Sequence, residues 1–262
     1  MEQEDRMKAQ PGSVVDPSYA KGTYFSDAQR HSTDAAFKVK NFLKLFLRVI
    51  KSEGLSARSF VDIGCGSGDI IKGLADSLKK SGFDSTSFKG YDVSPHVLNI
   101  KKEGVEYIHG DFCETNEQVD VVTLFDVFEH VPDTIEFLKC IAEHCNVVGL
   151  HIPLDHSLNY AMRNLFRSKL QNPGHLLFLD AVSALNLLAL SGLRVVDYEY
   201  TFSFLAPSGH KTPLQKFLFP LRYLLAKISP WLLSKTFGGA SLMVVAITPR
   251  GLREQTKFKA EA

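Results

Sequence analysis

The sequence predicts a doubly wound α/β fold on a mostly parallel sheet, and three observations predict it. Short apolar runs with strand character alternate with amphipathic helical stretches between residues 33 and 248. The strand runs are apolar throughout rather than alternating, as in sheets covered by helices on both faces. A glycine-rich turn, Gly64-Cys65-Gly66-Ser67-Gly68, carries the first strand into the next helix. Strand-helix-strand crossovers of this kind are right-handed and leave their strands parallel.

The elements follow in order. Phe37, Phe42, Leu43, Phe46, Leu47 and Ile50 recur at helical spacing, with Lys38, Lys40, Lys44, Arg48 and Lys51 largely on other faces, and Gly54 ends that helix. Ser59 to Ile63 is a short buried strand that runs through the glycine turn into a helix from about Gly68 to Lys80, stopped by Gly82. Further strands are expected at Ser87 to Asp92, Val105 to His109, Val119 to Phe125 and Asn146 to Ile152. Between them fall a helix from Pro95 to Lys102, opened by a Ser94 cap with Pro in first position, and another from Asp133 to His144. Ala181 to Leu190, closed by Gly192, is the last regular helix before the final strands, Leu193 to Phe202 and Ser241 to Thr248. Residues 205–237 form an insertion rich in Leu, Phe and Pro with scattered Lys and Arg, expected to be a helical cap over a pocket. Residues 1–30 are expected to be a mobile arm, residues 31–250 one domain that includes the insertion, and residues 251–262 a polar, frayed tail.

Composition narrows the class. At 262 residues, a chain can bury roughly 70 to 75% of its unfolded surface and needs neither disulfides nor a structural metal. With 45% apolar and 23% charged residues it is an ordinary globular composition. Thirty basic and 29 acidic residues give a net charge of +1, so no global field draws in nucleic acid. Cys65, Cys113, Cys140 and Cys145 form no C-x-x-C pair and lie at no zinc-ligand spacing from histidines, so they read as reduced thiols and no metal site is expected. The first residues lack the apolar region of a secretory signal, and no long uncharged apolar run exists, so a soluble cytoplasmic protein is expected.

The chemistry begins at Val61-Asp62-Ile63-Gly64-Cys65-Gly66-Ser67-Gly68-Asp69. Glycine permits positive φ and a close ligand approach, and the helix start offers unpaired N–H groups. A dinucleotide fingerprint would want glycine at position 69, where the chain has Asp69, an acid in the place of a pyrophosphate. Asp92 ends the second strand, where a carboxylate can accept from both hydroxyls of a ribose. Asp111 follows the third strand and can accept from an adenine amino group, with Phe112 lending a ring face.

This ordered set resembles the class I, seven-stranded S-adenosylmethionine-dependent methyltransferases. The matching runs are Val61 to Gly68, Gly90-Tyr91-Asp92-Val93-Ser94, His109-Gly110-Asp111-Phe112, and Asp120-Val121-Val122 through Phe128-Glu129-His130-Val131-Pro132-Asp133. Gly174-His175 with Phe178, then Ser183 to Leu193, is similar to the small-molecule branch that includes ubiquinone-pathway O-methyltransferases. The resemblance implies that the last of the seven strands is antiparallel. It implies S-adenosylmethionine as cofactor, with S-adenosylhomocysteine as product. By the same resemblance, Asp62, Gly64, Cys65, Gly66 and Gly68 cradle the methionine part, Asp92 holds the ribose, Val93 packs on adenine, and Asp111 and Phe112 hold the base. Phe125 and Asp126 line the groove toward the acceptor, a small molecule, lipid-like or glycan-related, whose hydroxyl oxygen is the nucleophile.

Plainer readings stand beside these. Asp62 can be a strand-end acid capping amides, and Cys65 and Cys113 small apolar fillers. His130 serves equally as a helix-start hydrogen-bonding group or a catalyst, and His151 or His156 as a loop residue or a general base, with His151 preferred because a strand end holds it. His175 is expected to orient its loop, and Phe217, Phe219, Tyr223 and Trp231 to be the core of the cap. Two rivals remain. One is an oxidoreductase, opposed by Asp69 and by the lack of a Tyr-x-x-x-Lys pair; the other is a non-catalytic member that binds cofactor or a partner. Lys216, Arg222 and Lys227 among Leu, Phe and Trp would also let residues 214–233 lie on a membrane surface.

Overall fold

The computed structural model describes the backbone of residues 28–206 and 212–261. Its centre is a seven-stranded sheet in the order β3-β2-β1-β4-β5-β7-β6. The strands are β1 (Ser59–Ile63), β2 (Ser87–Asp92), β3 (Glu106–His109), β4 (Val119–Phe125), β5 (Cys145–Leu154), β6 (Arg194–Phe202) and β7 (Ala240–Ile247). The β3-β2-β1-β4-β5 run pairs in parallel, while β7 is antiparallel to both neighbours, β5 and β6.

Period-two alternation splits the strand side chains between two buried layers. Val121 and Val147 face one layer with Phe42, Phe46, Phe60, Ile71 and Leu74, beneath α1 (Ala28–Glu53) and α2 (Asp69–Lys80). Val122 and Val148 face the other with Phe128, Leu138 and Leu188, beneath α3 (Thr134–His144) and α6 (Ala181–Leu190). Each fully buried Phe or Leu contributes ~1.5 to 3 kcal/mol relative to exposure. The α1 stripe Val39, Phe42, Phe46 and Val49 is buried at helical spacing. It seats directly on the sheet because β5 has Gly149 under it: a Cβ there would lie 2.3 Å from the Phe42 ring.

Several expectations are corrected. Of the expected arm, residues 1–27 lie outside the described residues, and α1 already begins at Ala28. The helix expected over residues 95–102 is a 3-10 turn, Pro95–Asn99, because only Val97 of it is buried and no apolar stripe propagates it. Two short helices, α4 (Leu158–Met162) and α5 (Leu165–Gln171), follow β5 where none was expected; neither buries a residue, so neither leaves a periodic signal. The tail is no frayed end: it is helix α10 (Pro249–Glu261), opened by a Thr248 hydroxyl that accepts from the Gly251 amide. Arg250 donates from it to the Val119 and His144 carbonyls, and Gln255 to the Glu53 carbonyl.

The insertion folds as α7 (Pro213–Phe217), α8 (Phe219–Ile228) and α9 (Pro230–Thr236). Its core is thinner than expected. Leu233 is fully buried and Phe219 packs against Phe204, but Phe217 is 80% exposed and Trp231 52%. Finally, Cys113 and Cys140 are joined as a disulfide, with Cα atoms 6.0 Å apart, so only Cys65 and Cys145 are the free thiols expected of all four. The turn after β3 and the middle of α3 meet on one face of the sheet, a proximity no local spacing announces.

Candidate active site

The glycine turn sits where β1 hands over to α2, and Gly64, Gly66 and Gly68 all hold φ between 54° and 72°. That left-handed backbone is what the run of alternate glycines is for. At Gly64 the space is also closed, since a Cβ would come within 2.8 Å of Val127 from the loop after β4. Asp92, at the end of β2, fixes the turn: its carboxylate accepts from the Gly66 amide at 2.8 Å and from the Ser94 amide at 2.8 Å. Asp69, at the start of α2, is held by Lys102 at 2.5 Å and by the Ser67 hydroxyl at 2.8 Å.

Behind the turn lies a concentration of carboxyl groups. Asp62 is buried in β1 and accepts from the Thr123 hydroxyl at 2.6 Å. Burial pushes its pKa up to about 7, and the nearby Asp92 pushes the same way. Burial likewise raises Asp92 above the usual carboxylate range, against the pull of the Ser94 and Gly66 amides.

At the end of β4, Asp126 takes φ 58°, a conformation Asp tolerates better than most residues. Its carboxylate sits between two partners, the Lys38 ammonium at 2.5 Å and His151 Nδ1 at 2.6 Å. Burial would raise Asp126, but Lys38 and His151 outweigh it and hold the group ionised well below the usual range. Burial would lower Lys38, but Asp126 and Asp34 outweigh it and hold the ammonium charged. An ionised carboxylate only accepts, so His151 carries a proton on Nδ1, while its Nε2 lies 3.1 Å from the Thr201 hydroxyl. The sequence placed Lys38 on an outer face of its helix; in the structure it is turned inward. Only its position one residue before the buried Val39, on the edge of the apolar stripe, could have hinted at this.

His130 belongs to a different constellation. Its Nδ1 lies 3.1 Å from the Gly174 carbonyl, and its ring meets His175 edge to face at 4.9 Å. His175 Nδ1 in turn is 2.6 Å from Asp155 at the end of β5. Between them is Glu129, fully buried, with neither carboxylate oxygen hydrogen-bonded. Burial, with Asp126 adding to it, raises Glu129 well above its ordinary value. Among the described residues, Glu129, His130 and His175 are the set whose ligand atoms lie close enough, within 4.8 Å, to hold a metal ion. No metal site was expected from spacing, because His175 comes from a distant loop docked through the Leu176 amide onto the Glu129 carbonyl at 2.8 Å.

The remaining sequence candidates fall into place by burial. Asp111 is exposed and caps the turn after β3 through the Cys113 amide at 2.9 Å, and Val93, in the preceding connection after β2, is 52% exposed. Phe112 differs from expectation: it is 1% exposed, packed edge-on against Tyr91 and His144, and shows no open ring face. Cys65 is buried under Gly90, and burial raises its thiol pKa, so it fills space. Phe125 is buried between Phe42 and His151, while the His156 side chain is 60% exposed.

Comparison with known proteins bears on the family and the fold. A family model described as a methyltransferase domain matches residues 10–198. A ubiquinone biosynthesis O-methyltransferase of Aeromonas salmonicida is 33% identical over 103 residues, and one of Aliivibrio fischeri 31% over 114. The matched segment of the first spans 35% of this chain and 40% of that enzyme. In fold, the chain is similar to magnesium protoporphyrin IX methyltransferase of Synechocystis with bound S-adenosylhomocysteine (TM-score 0.52, 12% identity, covering 89% of this chain and all of that one). A plantazolicin methyltransferase is similar at a TM-score of 0.54 and 16% identity, covering 87% and 90% of the two chains. No helix among the described residues is long and apolar enough to cross a membrane. Matched by the family model over most of its length, and built on that family's sheet with its single antiparallel strand, the chain belongs to the class I S-adenosylmethionine-dependent methyltransferases.

Proposed function

We propose that the protein binds S-adenosylmethionine, which supplies a sulfonium methyl group, and directs that methyl onto a hydroxyl of a small-molecule acceptor. One observation carries the reading: Asp62, Asp92, Asp126 and Glu129 crowd behind the glycine turn with Lys38 as the buried cation among them. Burial raises Asp62, Asp92 and Glu129, so an arriving cation would favour their ionised forms, which suits a cationic cofactor and opposes the pyrophosphate of a dinucleotide. In this reading Gly64, Gly66 and Gly68 receive the methionine part, and Asp92, already ordered by two amides, accepts from the ribose hydroxyls. Asp111 and Val93 receive the base, and Phe112 backs that wall from beneath.

His151 is assigned as the general base. Asp126 holds the Nδ1 proton, Lys38 keeps Asp126 ionised, and in this reading Nε2 is the nitrogen that takes the proton when an acceptor hydroxyl reaches it. Alignment of the acceptor supplies most of the acceleration, up to ~7 to 11 kcal/mol for a well-oriented pair. An O-methyl product is supported by the names of the ubiquinone-pathway relatives. Thermal melts test the cofactor: a hundredfold excess of S-adenosylhomocysteine over Kd should add ~2.7 kcal/mol of stability, and NAD none. Stabilisation by NAD alone overturns the reading. With an acceptor in hand, His151→Ala should lower kcat by about two powers of ten while cofactor Kd stays nearly constant.

A further inference from the structure

The insertion leaves the sheet at the same end as the site. Leu154, ending β5, and Phe202, ending β6, both pair with Ala240, where β7 begins, so α7, α8 and α9 emerge beside the carboxyl ends of the parallel strands. What they present outward is apolar. Phe217 is 80% exposed, Ile228 71%, Leu214 65%, Leu224 55% and Trp231 52%, and Met162 on the neighbouring α4 is 78% exposed. Exposed apolar residues gathered on short helices that touch one another mark a contact surface.

The charge on that face identifies the contact. The chain as a whole is balanced, yet no Asp or Glu occurs between Glu199 and Glu254, nor between Asp155 and Asp180. Lys216, Lys227, Arg163 and Arg167 are exposed in those stretches, among the apolar groups. Two other cations of the region are committed inward: Arg222 stacks over Phe204 at 4.4 Å, and Lys235 pairs with Asp180. Short helices with rings and leucines outward, flanked by cations and devoid of acids, match a headgroup layer, into which apolar side chains dip while Lys and Arg meet lipid phosphates.

We propose that α7, α8 and α9, together with α4, dock the protein on the surface of an anionic phospholipid bilayer. Docking there turns the acceptor side of the site toward the headgroups, where a lipid-borne acceptor would be met. The docking itself stands apart from the methyl-transfer reading, because its test involves neither cofactor nor turnover.

Trp231 is the single tryptophan of the chain and lies on the proposed face, so its fluorescence reports contact directly. The full chain is titrated with vesicles of phosphatidylcholine alone and of phosphatidylcholine containing phosphatidylglycerol. The expected result is a shift of emission to shorter wavelength, with co-sedimentation, on the phosphatidylglycerol vesicles, weakening as salt is raised. The double variant Lys216→Glu, Lys227→Glu should weaken partition by about tenfold or more. Phe217→Ser should weaken it at constant charge, and circular dichroism confirms that each variant is folded. An unshifted spectrum with anionic vesicles overturns the proposal, as does binding that the double variant leaves unchanged. A Trp231 shift that follows protein concentration without lipid also overturns it and assigns the face to a second copy of the chain.

Discussion

The two halves of the sheet build their ends from different materials. On the β1-β2-β3 side, the site is backbone: glycines in left-handed conformation, amides aimed at Asp92, a turn capped by Asp111. On the β4-β5 side it is side chains drawn from far apart, Lys38 to Asp126 to His151 to Thr201, and Glu129 with His130 and His175. A backbone cradle is stabilised by turn conformations close in sequence, whereas a buried polar network depends on every member being present. The first half should therefore tolerate loss of one carboxylate with its fold intact, and the second should not.

Asp126→Ala is the strongest test of that contrast. It leaves Lys38 with Asp34 alone and His151 without its Nδ1 partner, and breaking a buried pair in this way costs about 3 to 5 kcal/mol. Urea denaturation should show the loss at pH 7; an unchanged midpoint would mean that water replaces the carboxylate and that the network is no framework.

Next in size is a pH effect. Asp62 is raised to about 7 when folded, from an ordinary acid value when unfolded, so the folded state holds its proton more tightly between those limits. Stability contributed by the protonated form is thus fully present at low pH and is lost as pH rises toward 7. Asp62→Asn removes that loss, and at pH 8 the variant should gain on the order of 3 kcal/mol relative to its own difference at pH 4. Parallel denaturation curves of the two proteins at both pH values would show that Asp62 is ionised without penalty. Asp126 has the opposite sign: its depressed pKa contributes stability above the ordinary carboxylate range that fades as pH falls through it.

On the backbone side, Asp92→Ala should keep the fold and weaken S-adenosylhomocysteine binding by about 1.5 to 3 kcal/mol for a charged acceptor removed. Titration calorimetry measures it, and full affinity would move the ribose contact elsewhere. Smallest is Asp133→Ala, which removes the side-chain cap from the Glu136 amide of α3 and should cost ~1 kcal/mol of stability without touching ligand affinity.

The same contrast explains what could be read from the chain beforehand. β2, β4 and α6 keep the boundaries their apolar runs and caps announce, and the glycine turn announces its own backbone. Those signals are local. Lys38 looked like one more solvated lysine because its partner Asp126 lies 88 positions away, and Glu129 drew no reading of its own because its neighbour His175 arrives from another loop. α4 and α5 bury nothing and so carry no periodicity, and α10 looked like a tail because its anchors are hydrogen bonds to carbonyls of distant strands rather than an apolar stripe.

Those anchors give the molecule a stiff base and a compliant mouth. Glu53, at the end of the first helix, receives Gln255 from the last helix and Arg194 from the start of β6, while Arg250 clasps the carbonyls at Val119 and His144. All of these lie at the end of the sheet away from the glycine turn, so the beginning and the end of the fold are buckled together there. Amide hydrogens should exchange slowly along that base and faster at the opposite rim, where α4, α5 and the insertion helices rest on few buried side chains. A substrate would thus enter through the part of the protein that opens most easily, with the sheet behind it held as a fixed anvil.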